Sequence, residues 1–203
     1  MRVLFLGSHC DDIEFGCGGT IHKRQNDWDI TCVTLSVNSN VNQVVKSDIT
    51  EYSQGAMRVL NVRNVIYGDF ITNEFHQQRQ KIWEFLKDIE KTIRPDVVFT
   101  QEEDDQQDHA VLWKETLRNF RKSSVISYKS SIRNAPNINH NYYETLDETN
   151  VKAKLSALTH YSPVYEDLIY FSKDNIESTM RVNGIYIEEE YAEAYNCVKF
   201  ISR

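Results

Sequence analysis

"GSHCDDIEFGCGGTI", residues 7–21, follows the apolar run "RVLFL" and sets a histidine and two adjacent aspartates ahead of a glycine-rich segment. An apolar run that stops at glycine predicts a strand buried on both faces of a parallel sheet. Residues 14 to about 25 then predict a helix with glycines in its first turns. A strand, turn and helix of this kind ordinarily offer glycines and backbone amides to a phosphate. Here two carboxylates and an imidazole occupy that position, which favours a cation instead.

The same rhythm continues outward. The β-branched stretch "DITCVTLSV", residues 29–37, predicts a second strand, and a helix over about 48–60 leads to a short strand at 64–68. Ile82, Phe85, Leu86, Ile89 and Ile93 at helical spacing predict a long amphipathic helix over about 76–93. Pro95 closes it and a strand restarts at 94–100. Further helices are expected at 110–121 and 147–160, and a strand followed by a polar, aromatic loop over 123–144. This alternation predicts an α/β fold with a Rossmann-like, mostly parallel sheet, helices on both faces, and an active site at the carboxyl ends of the strands.

At 203 residues the chain is expected to form one domain, spanning 1–203. A hydrophobic fraction of 40% and a charged fraction of 26% are those of a globular protein and exclude a disordered one. The net charge of -7, with no basic run, argues against nucleic acid and anionic membranes as partners. "MRVLFLGSH" is too short in apolar residues for a signal peptide or a membrane span, so a cytoplasmic location is expected. Cys10, Cys17, Cys32 and Cys197 form no CxxC pair and read as reduced thiols.

Two strand ends carry polar clusters: Ser8, His9, Asp11 and Asp12 after the first, and "QEEDDQQDH", residues 101–109, after the "DVVFT" strand. His9, Asp12 and His109 make a donor set suited to zinc, or another divalent transition metal, with an open position for water. Asp11 and Asp12 should diverge on a tight turn, so that one ligates and the other acts as general base.

These residues bring a resemblance into view. "SHCDDIEFGCGGTI" and "RPDVVFTQEEDDQQDHAV" resemble motifs of the PIG-L/LmbE-like zinc-dependent N-deacetylases, and "KAKLSALTHYS" and "RVNGIYIEEEYAEAY" resemble the family's later blocks. The resemblance implies His9, Asp12 and His109 as zinc ligands, Asp11 as general base, and His160 as a histidine that polarises or protonates. Gln106 stands where the family has an oxyanion-stabilising histidine, Cys10 replaces a proline, and Pro163 replaces a glutamine. Asp108 is expected to orient His109 or Gln106, Asp104 to brace its loop, Glu193 to brace the site or chain end, and Arg79 to hold a phosphate or sugar oxygen of the substrate. The implied reaction is hydrolysis of an N-acyl group, usually acetyl, from an amino sugar or its conjugate. A homo-oligomer would be ordinary for such an enzyme.

Two other readings use the same residues. One is a catalytically weakened carbohydrate- or nucleotide-sugar-binding protein, motivated by Gln106, Cys10 and Pro163. The other is a nucleotide-binding protein with "GCGG" as a phosphate loop, against which the two preceding aspartates would repel a pyrophosphate.

Overall fold

The computed structural model describes residues 1–37, 46–130 and 139–202. The chain runs β1 (Arg2–His9), α1 (Asp12–Arg24), β2 (Asp29–Ser36), α2 (Lys46–Val59), β3 (Asn64–Tyr67), α3 (Arg79–Ile93), β4 (Val97–Gln101), α4 (Gln107–Asn119) and β5 (Ser124–Tyr128). It continues with β6 (Tyr142–Leu146), α5 (Glu148–Thr159), the short α6 (Ser162–Tyr165), a 3-10 turn at Ile169–Phe171, α7 (Lys173–Ile185) and β7 (Tyr191–Lys199).

The strands form a sheet of order β3-β2-β1-β4-β5-β7-β6. The five strands from β3 to β5 are parallel, whereas β7 runs antiparallel to both β5 and β6. The expected mostly parallel sheet with helices on both faces is therefore present. Alternation along β1 makes this two-sided: Val3 and Phe5 pack with Ile13, Cys17 and Met57, while Leu4 and Leu6 pack with Ile82, Leu86 and Leu112. Each such side chain taken out of water contributes about 1.5–3 kcal/mol.

The sheet order places the site. From β1 the chain winds outward through β2 to β3, then returns to build β4 and β5 on the other side of β1. The carboxyl ends of β1 and β4 consequently face a topological switch point, where connections diverge and leave a crevice.

Several boundaries differ from those read in the sequence. α1 begins at Asp12 and α4 at Gln107, so Asp12, Asp108 and His109 belong to first helical turns rather than to loops. α3 starts at Arg79, not His76. The aromatic stretch taken for loop enters β6 at Tyr142, and the "YAEAY" block lies in β7. The polar, aromatic loop expected within 123–144 falls partly on residues 131–138, outside the described residues.

Candidate metal centre

β1 delivers His9 to the sheet's carboxyl edge, and a single tight turn starts α1. Asp11 makes that turn with φ 93° and ψ −31°, a backbone region that L-residues seldom adopt. Its carbonyl accepts the first helical bond, from Phe15 N–H at 2.8 Å. The turn leaves the Asp11 carboxyl close enough to Asp12 for the two charges to interact. Asp12 turns back, its Oδ2 accepting the His9 backbone N–H at 2.7 Å.

Across the switch point, α4 carries His109. Ligand atoms from His9, Asp12 and His109 all lie within 4.8 Å of one another. His109 Nε2 is buried, lacks a hydrogen-bond partner, and lies 3.8 Å from Asp12 Oδ1. His9 Nδ1 lies 3.5 Å from Asp12 Oδ2.

The second nitrogen of each imidazole is tied to a carboxylate. His9 Nε2 donates to Asp108 Oδ2 at 3.0 Å, and His109 Nδ1 to Asp104 Oδ2 at 2.7 Å. A carboxylate can only accept, so these bonds put the protons on His9 Nε2 and His109 Nδ1. His9 Nδ1 and His109 Nε2 thereby face the shared space, where each would offer a lone pair to a bound cation, the arrangement that metal-ligating histidines use. Two imidazoles and a carboxylate around an orphaned buried nitrogen fit zinc or a similar divalent ion.

The charges agree with that fit. Burial opposes a charged His9, yet the hydrogen bonds and charges of Asp108 and Asp12 outweigh it and lift its pKa to about 10. Burial alone would raise Asp12, but facing His109 and His9 holds it below the usual carboxylate range. Burial, with Asp12 and Glu14 alongside, pushes Asp11 well above that range. Positive charge is thus stabilised at the centre of this cluster, where a divalent cation would supply it.

Asp108 does more than orient an imidazole. It also accepts the backbone N–H groups of Asn73 at 2.7 Å and Phe75 at 3.3 Å, clamping the loop before α3 over the site. Phe75, fully buried, sets its ring 6.0 Å from that of His9 and walls off that side. The expected partners of Asp108 were His109 or Gln106; the structure gives it His9 instead. Asp104 braces its loop as expected, bonding the Gln106 backbone N–H at 2.8 Å, and it also orients His109, which sequence reasoning missed. A carboxylate five residues before a candidate ligand histidine was the available signal.

Gln106 N-caps α4 and is half-buried, three residues before His109. Glu14 was left unassigned by the sequence reading: fully buried, it accepts from Tyr161 Oη at 2.6 Å and Ser53 Oγ at 3.5 Å. Burial lifts its pKa to about 7. Cys10 is buried against the Ser36 carbonyl at 3.9 Å, and burial raises its thiol well above the ordinary value.

Other candidates lie apart. His160 caps the exposed end of α5 with its ring against Gly55 of α2, and among the described residues no contact joins it to the triad. Arg79 pairs through Nε with buried Glu115, six residues beyond His109 on α4, so its guanidinium braces α3 against α4. Glu193 braces α1 against β7, accepting from the Gly19 and Thr20 amides and pairing with Lys154 Nζ at 2.6 Å.

Fold and site together define a Rossmann-like α/β protein with a His–Asp–His cluster of metal-binding geometry at the switch point. The chain belongs to the PIG-L family: the family profile described as GlcNAc-PI de-N-acetylase matches residues 4–120. It is 30% identical over 123 residues to an uncharacterized deacetylase, YaiS, of Escherichia coli strain K12, a match covering 57% of this chain and 65% of that protein. The matched stretch thus spans just under two thirds of that relative's length. The fold also resembles a teicoplanin deacetylase in a zinc-inhibited form, with TM-score 0.78, 13% identity, and 96% and 97% of the two chains covered. An N,N'-diacetylchitobiose deacetylase from Pyrococcus horikoshii gives TM-score 0.72 at 16% identity, covering 96% of this chain and 82% of that one. No helix among the described residues is long and apolar enough to cross a membrane.

Proposed function

We propose that this chain is a divalent-metal-dependent hydrolase, with zinc as the first candidate ion, that removes an N-acyl group from an amino sugar or sugar conjugate. The observation that carries the reading is His109 Nε2, buried without a partner and facing Asp12, while both histidines are held by carboxylates at their other nitrogens. Family membership and the deacetylases it resembles supply the reaction class.

His9 Nδ1, Asp12 and His109 Nε2 would hold the ion, which when bound would acidify water and polarise the acyl carbonyl. Asp11, held next to Asp12 by the tight turn, would accept the proton of the attacking water and pass it to the leaving amine. The Gln106 side chain, at the start of α4, donates a neutral hydrogen bond to the developing oxyanion. Phe75 and the clamped loop keep bulk water from the His9 side.

Elemental analysis of the purified chain beside Asp12→Ala tests the reading. About one zinc per chain in the wild type and none in the variant, with amine release from N-acetyl amino sugars, is the expected result. No divalent metal after reconstitution, or loading unaffected by Asp12→Ala, would overturn it.

A further inference from the structure

A cavity of about 350 Å³ opens one turn of α1 beyond the triad, within the size range of small-molecule sites. Phe15 and Gly16 line it. They follow Asp12 by three and four positions and so share its side of the helix, displaced by about 6 Å of axis. That displacement is comparable to one sugar ring. Lys129 enters from the carboxyl end of β5, directly after Tyr128, whose register partner is Gln101 at the end of β4. The cavity and the triad therefore occupy neighbouring positions on the same edge of the sheet.

Its charge is the informative feature. Glu193 and Lys154 both line it, but they neutralise each other at 2.6 Å, and the Gly19 and Thr20 amides occupy the same carboxylate. Lys129 is half-buried, and among the described residues it pairs with no carboxylate. His140 stands near it: burial and the Lys129 charge hold the imidazole below its ordinary pKa, leaving a neutral ring with one N–H to donate. Asn183 adds an amide, while Ile176 and Met180 form an apolar floor. A pocket with one uncompensated cation and neutral donors, in a chain of net charge -7, selects for an anion.

We propose that this cavity is a substrate subsite for an oxyanion, a phosphate or carboxylate carried by the part of the amino-sugar conjugate beyond the sugar ring. Lys129 supplies the ion pair, and His140 and Asn183 donate hydrogen bonds. The sugar's placement rests on the function proposed above; anion selection is read from binding alone.

The test is calorimetric binding of three probes to the Asp11→Asn chain: methyl N-acetylglucosaminide, N-acetylglucosamine 1-phosphate and a carboxymethyl N-acetylglucosaminide. At least one anionic probe is expected to bind about ten-fold tighter than the neutral one, the scale of a charge-assisted hydrogen bond. Lys129→Met should remove that advantage without weakening the neutral probe. Which anionic probe gains identifies phosphate, carboxylate or either as the ligand. Equal binding of all three, no binding, or an advantage that survives Lys129→Met overturns the subsite. Should Lys129→Met fail to fold, Lys129→Gln carries the same expectation. Amine release from the same probes by the metal-loaded wild type separates the two proposals. Release without anion selectivity defeats the subsite alone, and selectivity without release defeats the hydrolase alone.

Discussion

His9 Nε2 and Asp108 Oδ2 are 3.0 Å apart, although 99 residues separate them, and the same carboxylate holds the amides of Asn73 and Phe75. One buried side chain thus sets the orientation of a candidate ligand and the position of the loop that covers it.

Substituting Asp108 should separate these tasks. Asp108→Asn loses the anion facing His9 and keeps an acceptor for only one of the two loop amides, since Asn73 bonds Oδ2 and Phe75 bonds Oδ1, and zinc affinity is expected to fall about 10–100-fold. Asp108→Ala removes both acceptors and orphans the buried Phe75 N–H, at about 1–3 kcal/mol. Competition with a chromogenic chelator reads the first effect and urea unfolding the second. Unchanged zinc affinity in Asp108→Asn would show that the orientation of His9 does not depend on this carboxylate.

Asp11 allows function and stability to be opposed. Its φ of 93° is unfavourable for any side chain, and its carboxyl sits beside Asp12 and Glu14 in a buried cluster. Asp11→Gly should therefore raise the unfolding free energy of the metal-free protein by about 1–3 kcal/mol while abolishing turnover. Asp11→Asn should keep the metal and lose turnover. Normal activity in Asp11→Asn would remove the general-base role, and a lowered melting temperature in Asp11→Gly would mean that the carboxyl stabilises the turn.

The parallel half of the fold was legible in the sequence because β1, β2 and β4 are apolar runs separated by helices with clear periodicity. β6 and β7 were not. "YAEAYNCVK" mixes alanine, glutamate and asparagine, which have little preference for strands, and "YYETL" is a short run directly after the polar stretch "NAPNINHN". They are held by partners far away in sequence: Glu144 by Arg24 Nη2 at 2.9 Å and Glu193 by Lys154 and the α1 amides. The site divides similarly. His9, Asp12 and His109 were readable from residue type at strand ends. The orienting carboxylates were harder, because consecutive helical residues point about 100° apart. Asp108 and His109 consequently face different neighbours, and Asp104 reaches His109 from outside the helix.

Glu193 should prove a stability determinant. Glu193→Ala leaves Lys154 charged and buried, and removes the acceptor for Gly19, Thr20 and Tyr195. Breaking a buried pair in this way costs about 3–5 kcal/mol. Guanidinium unfolding should show that loss, with zinc stoichiometry retained at temperatures where the variant is folded. A loss below about 1 kcal/mol would mean that water reaches Lys154 in the variant.

Gly16 is held to glycine by packing. A Cβ there would collide with the Tyr128 ring and come within 2.9 Å of the Lys129 carbonyl. Tyr128 is buried, and its hydroxyl donates to the Leu6 carbonyl at 2.6 Å, so the ring cannot swing aside without giving up that bond. Gly16→Ala is expected to destabilise by about 1–3 kcal/mol despite alanine's better helix propensity. A stability equal to wild type would show that α1 can shift away from β5.

Gln106 offers a gain-of-function test. Its backbone N–H is fixed by Asp104 Oδ1, so a replacement side chain starts from the same point at the head of α4. A neutral amide can donate to an oxyanion but cannot supply positive charge or a proton, and one good oxyanion donor is worth about 10²–10³ in rate. Gln106→His should therefore leave zinc affinity nearly unchanged and raise kcat for amide cleavage, with KM altered less. A marked drop in zinc occupancy would instead place residue 106 within the metal's own coordination. An unchanged kcat would move oxyanion stabilisation to another group.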